Sequence, residues 1–461
     1  MNPVFRKSGN CAEIADGFDP MNPVLVLGAG RSSVSLLSYL NDFALSDGFR
    51  FSVADSDAEN LRLRTHSLPA ADAFVFDASA PDALKNLVGG HKVVVSLLPP
   101  PMHPEVARAC LETGSNLVTA SYESPEMREM SDDIRKAGLV FINECGLDPG
   151  IDHMSAMEMM DQISRDGGEI LEFRSYCGGL VADECDDNSF RYKISWNPRN
   201  VVAAGKSGGL FLENGSQAFL PYQRLFAETE QISVPGWGDF EAYPNRDSIP
   251  YRDLYGLQYV SSLKRGTLRK AGFAARWNVL VRAGMTDESV RLVFGKTDDY
   301  RSFLRVFFPG INPEASLKAF CSQNQIADDV LDLFRHEGNY RKLMRSSGTP
   351  ADFLLDLIVQ AWPLNPMDKD IVLMLHSFVF KDDKGMKHRK NAWFGLKGED
   401  SLHTAMARTV GLPLGIVTKL LLNSCIPQKG LVLPLKSDIY QPVLKELSKF
   451  GISFQQDSYP I

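Results

Sequence analysis

Cysteine is scarce and unpaired in this chain. Seven occur in 461 residues, scattered as Cys11, Cys110, Cys145, Cys177, Cys185, Cys321 and Cys425, with no C-x-x-C spacing among them. That pattern excludes a disulfide framework and a structural zinc site, and it points to a reducing, cytoplasmic setting. Basic residues are in deficit: 49 against 57 acidic give a formal net charge of −8. Nucleic-acid binders carry a basic excess or stripe, so no nucleic-acid partner is expected. No apolar run approaches the roughly 20 residues that span a bilayer, so no membrane partner is expected. Residues 1–20 lack the basic-then-apolar pattern of a signal peptide. The histidines (His66, His91, His103, His153, His336, His376, His388 and His403) show no metal-ligand spacing, and no metal is assigned. Repeats at solenoid spacing and low-complexity tracts are missing too.

What is present describes a globular chain, 44% hydrophobic and 23% charged. Its length exceeds what one core supports, so two or three domains are expected. MNPV occurs at Met1 and again at Met21, where it opens the first strong strand, and residues 1–20 are read as a flexible extension. VLVLGAG from Val24 is a buried strand ending in glycines, followed by the helical SSVSLLSYL. FRFSVAD, DAFVFDAS, HKVVVSLLPPP, SNLVTAS and GLVFINECG are further apolar strands separated by helix-length segments. That alternation predicts a doubly wound parallel sheet. Beyond Gly150 the rhythm changes to aromatic, β-like segments (FRSYCGG, RYKISWN, GWGDFEAYPN). A helical stretch then runs from about Thr286 to Trp362, VLMLHSFVF returns as a strand, and the tail reads helix, turn, helix.

The glycines of GAG carry the first chemistry. Gly28 directly after a strand permits a sharp turn, and Gly30 lets backbone approach a pyrophosphate. The following helix offers N–H groups and its positive dipole end to the phosphates. The usual third glycine is replaced by Ser33. Asp55 ends the second strand, where a carboxylate accepts from the ribose hydroxyls and repels a 2′-phosphate. NAD is therefore expected ahead of NADP, although Arg31 or Arg62 is near enough in sequence to accommodate a phosphate. A plain helix cap is the competing reading of Asp55.

Three more segments follow strands of the same sheet: SLLPPP at Ser96, TASYESPEM at Thr119 and GLDPGID at Gly146. Ligands sit at the carboxyl edge of open parallel sheets. Two glycines and a proline in GLDPGID then make sense as backbone control that holds Asp148 at the rim where a nicotinamide arrives.

NECGLDPGIDHMSAM resembles the glutamate-forming saccharopine dehydrogenases, or saccharopine reductases. The likeness continues through SYCGGL (Ser175), DDNSFRYKISWNPRNVV (Asp186), YPNRDS (Tyr243), KRGTLRKAGF (Lys264) and TAMARTVGLPLGI (Thr404). It runs from Val24 onward, departing where DNS at Asp187 replaces the family's DNP. The resemblance implies a Rossmann domain over 21–150 completed by about 404–461. A mixed α+β substrate and dimerisation domain over 151–285 and 363–403, and a helical insertion over 286–362, complete the expected architecture. The implied reaction is NAD(P)-dependent oxidative cleavage of saccharopine to glutamate and 2-aminoadipate 6-semialdehyde, by a homodimer. It places substrate contacts at Ser121, Asp148, Arg246, Thr267, Leu268 and Arg269. Cofactor contacts are expected at Gly28, Gly30, Arg31, Ser32, Ser33, Asp55, Ser96, Leu97, Leu98, Ala120, Ser121, Leu147, Asp148, Pro149 and Asn197.

The residues suit that chemistry. A substrate with three carboxylates needs fixed cations in an acidic protein, and Arg246 and Arg269 are planar, bidentate partners. Arg265 and Asp247 read as a structural ion pair. The proton carrier is sought among Asp148, Tyr122, Cys177 and His153. A carboxylate in a dry pocket exchanges protons near neutrality, which favours Asp148 assisted by Tyr122 and Cys177. Two alternatives stay open: a carboxynorspermidine dehydrogenase-like imine reductase, and a non-catalytic NAD-binding regulator.

Overall fold

The computed structural model describes residues 22–78, 81–204, 206–324 and 328–461. The extension expected over residues 1–20, and Cys11 within it, lie outside the described residues. The chain divides into two compact units. The first takes residues up to Gln162 and Leu402–Phe454, the second Ile163–Ser401 and Gln455–Ile461.

The first unit holds a seven-stranded, all-parallel sheet. Its strands are β1 (Val24–Leu27), β2 (Phe51–Asp55), β3 (Ala71–Val75), β4 (Val93–Ser96), β5 (Asn116–Thr119), β6 (Val140–Ile142) and β20 (Gly430–Val432). The order is β20-β6-β5-β4-β1-β2-β3, so the chain leaves β1 on one side and returns on the other at β4. The resulting switch point between β1 and β4 is where a doubly wound sheet opens a crevice. All four residues of β1 are buried, as a strand covered on both faces requires. Helices α1 (Val34–Asp47), α2 (Ala58–Thr65), α3 (Pro81–Val88), α4 (His103–Thr113), α5 (Pro125–Glu129) and α6 (Ser131–Lys136) link the strands.

Past β6, α7 (Ile151–Arg165) belongs mostly to this unit, so the boundary falls about a dozen residues later than 150. From the tail, α13 (Ala405–Leu422) and α14 (Ser437–Ser448) return to it. Helix α13 is long and apolar enough to cross a membrane, yet 67% of it is buried against this unit. Gly411 and Gly415 explain the fit. A Cβ on Gly411 would lie 2.7 Å from the Leu36 nitrogen and 3.1 Å from the Ser32 carbonyl. One on Gly415 would meet the Tyr39 ring at 2.7 Å. The segment TAMARTVGLPLGI thus lets a helix press directly on the back of the glycine turn.

The second unit is built on a ten-stranded mixed sheet. Its main path is β10 (Glu230–Val234), β11 (Gly238–Pro244), β13 (Ser262–Lys270), β7 (Glu169–Val181), β18 (Asp370–Lys381), β19 (Lys387–Lys397) and β21 (Gln455–Pro460). β8 (Gly209–Glu213), β9 (Ser216–Leu220) and β12 (Arg246–Asp247) join at the side. β13 and β7 run parallel, whereas β18 is antiparallel to both β7 and β19. The expected return of VLMLHSFVF as a strand holds, and the expected tail boundary needs correcting. The last residues do not complete the parallel sheet; β21 pairs with β19 instead. Six residues of backbone gain partners on an edge that would otherwise stay open.

RYKISWN also departs from expectation and forms no strand. Tyr192 packs on Phe273 and Trp362, and Lys193 pairs with Asp187 and Asp368 at 2.6 and 2.7 Å. Side-chain anchoring of an irregular segment has overridden its β propensity. Besides the short helical turns Tyr222–Leu225 and Pro250–Leu254, the helices of this unit include α8 (Pro198–Ala203), α9 (Phe273–Arg282), α10 (Tyr300–Phe307), α11 (Pro313–Gln323) and α12 (Pro350–Ala361). Two short ribbons, β14 (Leu292–Val293) with β17 (Ser347–Gly348) and β15 (Arg335–His336) with β16 (Asn339–Tyr340), lie among them. The insertion is not a separate body: Trp277, Trp362, Phe303 and Phe353 share one core with Phe190 and Tyr243.

Candidate functional site

In the first unit the glycine turn is built for close approach. Gly28 sits at φ +101° with its Cα facing Leu97; an added Cβ would come within 3.3 Å of Leu97 backbone. Gly30 faces open space, with no atom within 4 Å of such a Cβ. The turn therefore fits a phosphate-bearing ligand on one side and the β4 rim on the other. Arg31, Ser32 and Ser33 form a single 3-10 turn before α1. Ser33 is fully buried and its hydroxyl donates to the Gly30 carbonyl at 2.8 Å, so it braces the turn from behind rather than facing a ligand.

Asp55 braces the same turn. Its Oδ2 accepts from the Ala29 N–H at 2.6 Å and its Oδ1 from the Asp57 N–H at 2.8 Å. The cap of α2 is Asp57, which accepts from Glu59 and Asn60 N–H groups, so Asp55 is not the helix cap. Arg62 is exposed and reaches Glu59 at 3.4 Å. Arg64, which sequence reasoning passed over, is different. Its Nε is buried with no hydrogen-bond partner, and burial followed by the charge of Arg31 lowers its affinity for its proton. The Arg31 charge, from the turn after β1, therefore reaches Arg64 in α2.

At the rim, GLDPGID closes on itself. The Gly146 N–H donates to Pro149 O, and the Ile151 and Asp152 N–H groups donate to Gly146 O and Leu147 O. The Asp148–Pro149 bond is cis. Gly150 lies at φ +146°, and any Cβ there would overlap Gly146 backbone at 2.1 Å, while one on Gly146 would lie 2.9 Å from the Ala120 Cβ. Asp152 is buried and accepts from the Gly150 N–H at 2.6 Å, a structural duty. Asp148 is left half-buried at the rim, where the Tyr122 hydroxyl donates to its Oδ1 at 3.2 Å. Leu147 is buried at 5% exposure, so any cofactor contact there is through backbone.

His153, a proton-carrier candidate from the sequence, is fully buried with Nε2 at 2.7 Å from Glu144. Glu144 in turn accepts from the Glu123 N–H at 3.0 Å while sitting at φ +57°. His153 and Glu144 therefore act as a brace between α7 and the loop that carries Ser121 and Tyr122. Ser96 is buried and its hydroxyl meets His103, whose other ring nitrogen reaches Ser121. Leu97, Leu98 and Ala120 line this carboxyl edge half-buried.

The second unit carries the arginines. Arg269 is 3% exposed, and its guanidinium lies 5.2 Å from the ring centres of Tyr192 and Phe273 and 5.8 Å from that of Tyr243. One Nη donates to the Leu268 carbonyl at 3.0 Å, while Nε has no partner. Glu241 stands opposite in the β11–β13 register, but its carboxylate accepts from the Ala274 and Gly272 N–H groups at the start of α9. Burial raises the Glu241 carboxyl, and the nearby Arg269 charge opposes that rise.

Thr267 pairs in register with Tyr243 and Cys177, bringing two expected site residues, Thr267 and Cys177, to one stretch of sheet. Leu268 is fully buried in the apolar cluster with Tyr176 and Leu373, so its side chain is core and is not a substrate contact. Arg246 is exposed, with φ +58°. Asp247 caps the Ile249 N–H at 2.8 Å, and Arg265 lies 4.1 Å over the Tyr251 ring. Asn197, expected among the cofactor contacts, caps α8 by accepting from the Arg199 N–H at 3.0 Å.

Comparison with known proteins finds two family models in succession along the chain. Residues 24–142 match the saccharopine dehydrogenase NADP binding domain, and residues 146–452 match the saccharopine dehydrogenase C-terminal domain. The saccharopine dehydrogenase [NADP(+), L-glutamate-forming] of Saccharomyces cerevisiae is 31% identical over 443 residues, covering 94% of this chain and 98% of that protein. The mitochondrial alpha-aminoadipic semialdehyde synthase of Bos taurus is 32% identical over 461 residues, and the match spans 48% of that longer protein. The solved apo structure of saccharopine dehydrogenase (L-Glu forming) from Saccharomyces cerevisiae superposes with a TM-score of 0.85 at 29% identity, covering 95% of this chain and all of that one.

Proposed function

The chain belongs to the saccharopine dehydrogenase family, and on that premise we propose that it cleaves saccharopine oxidatively to L-glutamate and 2-aminoadipate 6-semialdehyde. The observation that carries the substrate class is Arg269. A guanidinium this buried, with no ion pair among the described residues, is costly unless an anionic group arrives, and a substrate carboxylate is such a group. The aromatic rings around it exclude water and sharpen that preference.

A bound nicotinamide would accept hydride from the carbon on the lysine side of the secondary amine. The chain's own part is to hold and move protons. Asp148 takes the amine proton and later activates water, with the Tyr122 phenol fixing its orientation through Oδ1. Cys177 is the residue proposed to assist it.

For the cofactor we propose NADP, which Arg64 and Arg31 favour together. A 2′-phosphate would relieve their repulsion and give Arg64 Nε an acceptor. Asp55 already accepts two backbone N–H bonds and serves the turn. NAD, with its ribose hydroxyls on the remaining lone pairs of Asp55, is the second reading. A cytoplasmic homodimer completes the proposal.

The test is absorbance at the reduced-nicotinamide band with purified protein, saccharopine and either dinucleotide. Turnover with saccharopine supports the assignment. Turnover with carboxynorspermidine alone would transfer it to an imine reductase of the same broad family, and nucleotide binding with no turnover would make the chain a regulator.

A further inference from the structure

One histidine outside the expected site joins two residues within it. His103 opens α4, is 3% exposed, and lies behind the carboxyl ends of β4 and β5. Its Nδ1 is 3.1 Å from the Ser96 hydroxyl, and its Nε2 is 2.8 Å from the Ser121 hydroxyl and 3.2 Å from that of Thr119. Thr119 also accepts from the Ser121 N–H at 3.2 Å, which holds the Ser121 backbone in place. Ser96 ends β4 and is 1% exposed; Ser121 follows β5 and is half-buried, one residue before Tyr122.

We propose that His103 is a positioning residue that fixes the hydrogen-bond polarity of the Ser121 hydroxyl at the ligand rim. The proposal rests on the reading of Ser121 as a ligand contact. Burial pushes the imidazole down to about 4, so the ring is neutral across the working range. A neutral imidazole has one N–H and one lone pair. The Nδ1 side, met by Ser96, and the Nε2 side, met most closely by Ser121 with Thr119 beyond it, must then take opposite roles: where one side donates, the other accepts. A freely rotating serine would present a mixture of donor and acceptor to a ligand. Ser121 held by the ring presents one, on the side of the imidazole opposite the buried Ser96. The arrangement costs no charge and needs no ordered water, which suits a rim where a hydride acceptor must be kept dry.

The test is a double-mutant cycle on the full chain. Ser121→Ala and His103→Phe should each lower kcat/KM for saccharopine roughly tenfold, the effect of one lost hydrogen bond. The double variant should be no worse than the weaker single, and His103→Gln, which keeps a donor and an acceptor, should recover most of the loss. Additive losses would overturn the proposal and reduce His103 to packing. Should His103→Phe fail to fold, the same cycle is run with His103→Leu. The ring itself is read by imidazole ¹⁵N spectroscopy of the wild-type protein. One neutral tautomer from about pH 5.5 to 8, becoming a mixture in Ser121→Ala, supports the proposal. A mixture in the wild type overturns it. A normal rate in Ser121→Ala would remove Ser121 from the site, and the proposal with it, while leaving saccharopine cleavage standing. A wild-type protein inert toward saccharopine would sink the assigned reaction, and the ¹⁵N result would still decide the role of His103.

Discussion

The Tyr122 hydroxyl donates to Oδ1 of Asp148 across 26 residues of sequence at 3.2 Å. The bond joins the turn after β5 to the turn after β6, and both turns are held by backbone bonds of their own. Asp148→Asn keeps the turn and its hydrogen-bonding shape but cannot ionise. We expect kcat to fall by roughly 10²–10⁴, the range for a lost general acid–base, with thermal stability unchanged. An intact kcat with a raised KM would make Asp148 a substrate ligand only.

Arg269 separates substrate from cofactor. Arg269→Met removes the charge from an aromatic surround and leaves the hydrophobic volume. The KM for saccharopine should rise by an amount equivalent to about 2–5 kcal/mol, with dinucleotide affinity unchanged in a direct titration. Equal weakening of both ligands would indicate a folding defect instead.

The ratio of kcat/KM for NADP to that for NAD tests the arginine pair. Arg64→Leu should cut the NADP value at least tenfold, the loss of one charge-assisted bond of ~1.5–3 kcal/mol, and leave NAD nearly unchanged. Asp55→Asn should weaken both, because the Ala29 N–H loses a charged acceptor. A wild-type preference for NAD, with Arg64→Leu silent, would return the ribose to Asp55.

Stability should fall as pH drops below about 6.5. His91 and His103 are both buried, and burial lowers each to about 4. Their folded forms bind protons less readily than the unfolded chain, whose histidines titrate near 6.5. Stability is therefore full above the unfolded value and is lost as pH drops through the window from 6.5 to 4. At pH 5 the loss should be about 2 kcal/mol for each ring. Thermal melts between pH 7.5 and 5 check this, and His91→Gln should flatten the slope. A melting temperature independent of pH over that range would contradict the burial argument.

Gly411→Val tests the helix behind the turn. The added atoms would meet Leu36 backbone, which cannot yield as a side chain can. A loss of about 1–3 kcal/mol is expected, and dinucleotide affinity should fall with it because Ser32 is displaced. Normal binding in a destabilised variant would show that α13 supports the fold alone.

The parallel sheet, the glycine turn and the rim position of Asp148 were legible in the sequence. Each depends on local periodicity and on residues next to one another: Val24–Leu27 before Gly28, Val140–Ile142 before Gly146. Arg269 was reachable only through the resemblance, since an arginine in KRGTLRK gives no local sign that it will be buried. What tertiary structure decided was which side chains are spent. Asp55 stands where a ribose ligand should, yet two backbone N–H groups claim its carboxylate. His153 is adjacent to the right motif but is absorbed by Glu144, and Leu268 is turned into the core by strand alternation. His103 and Arg64 carry no motif at all. Their significance comes from what lies around them: two serine hydroxyls 25 positions apart in one case, and the charge of a second arginine beside an unpartnered Nε in the other. Hydrogen-bond partners and desolvation are properties of packed neighbours distant in sequence, so they appear only once the chain is folded.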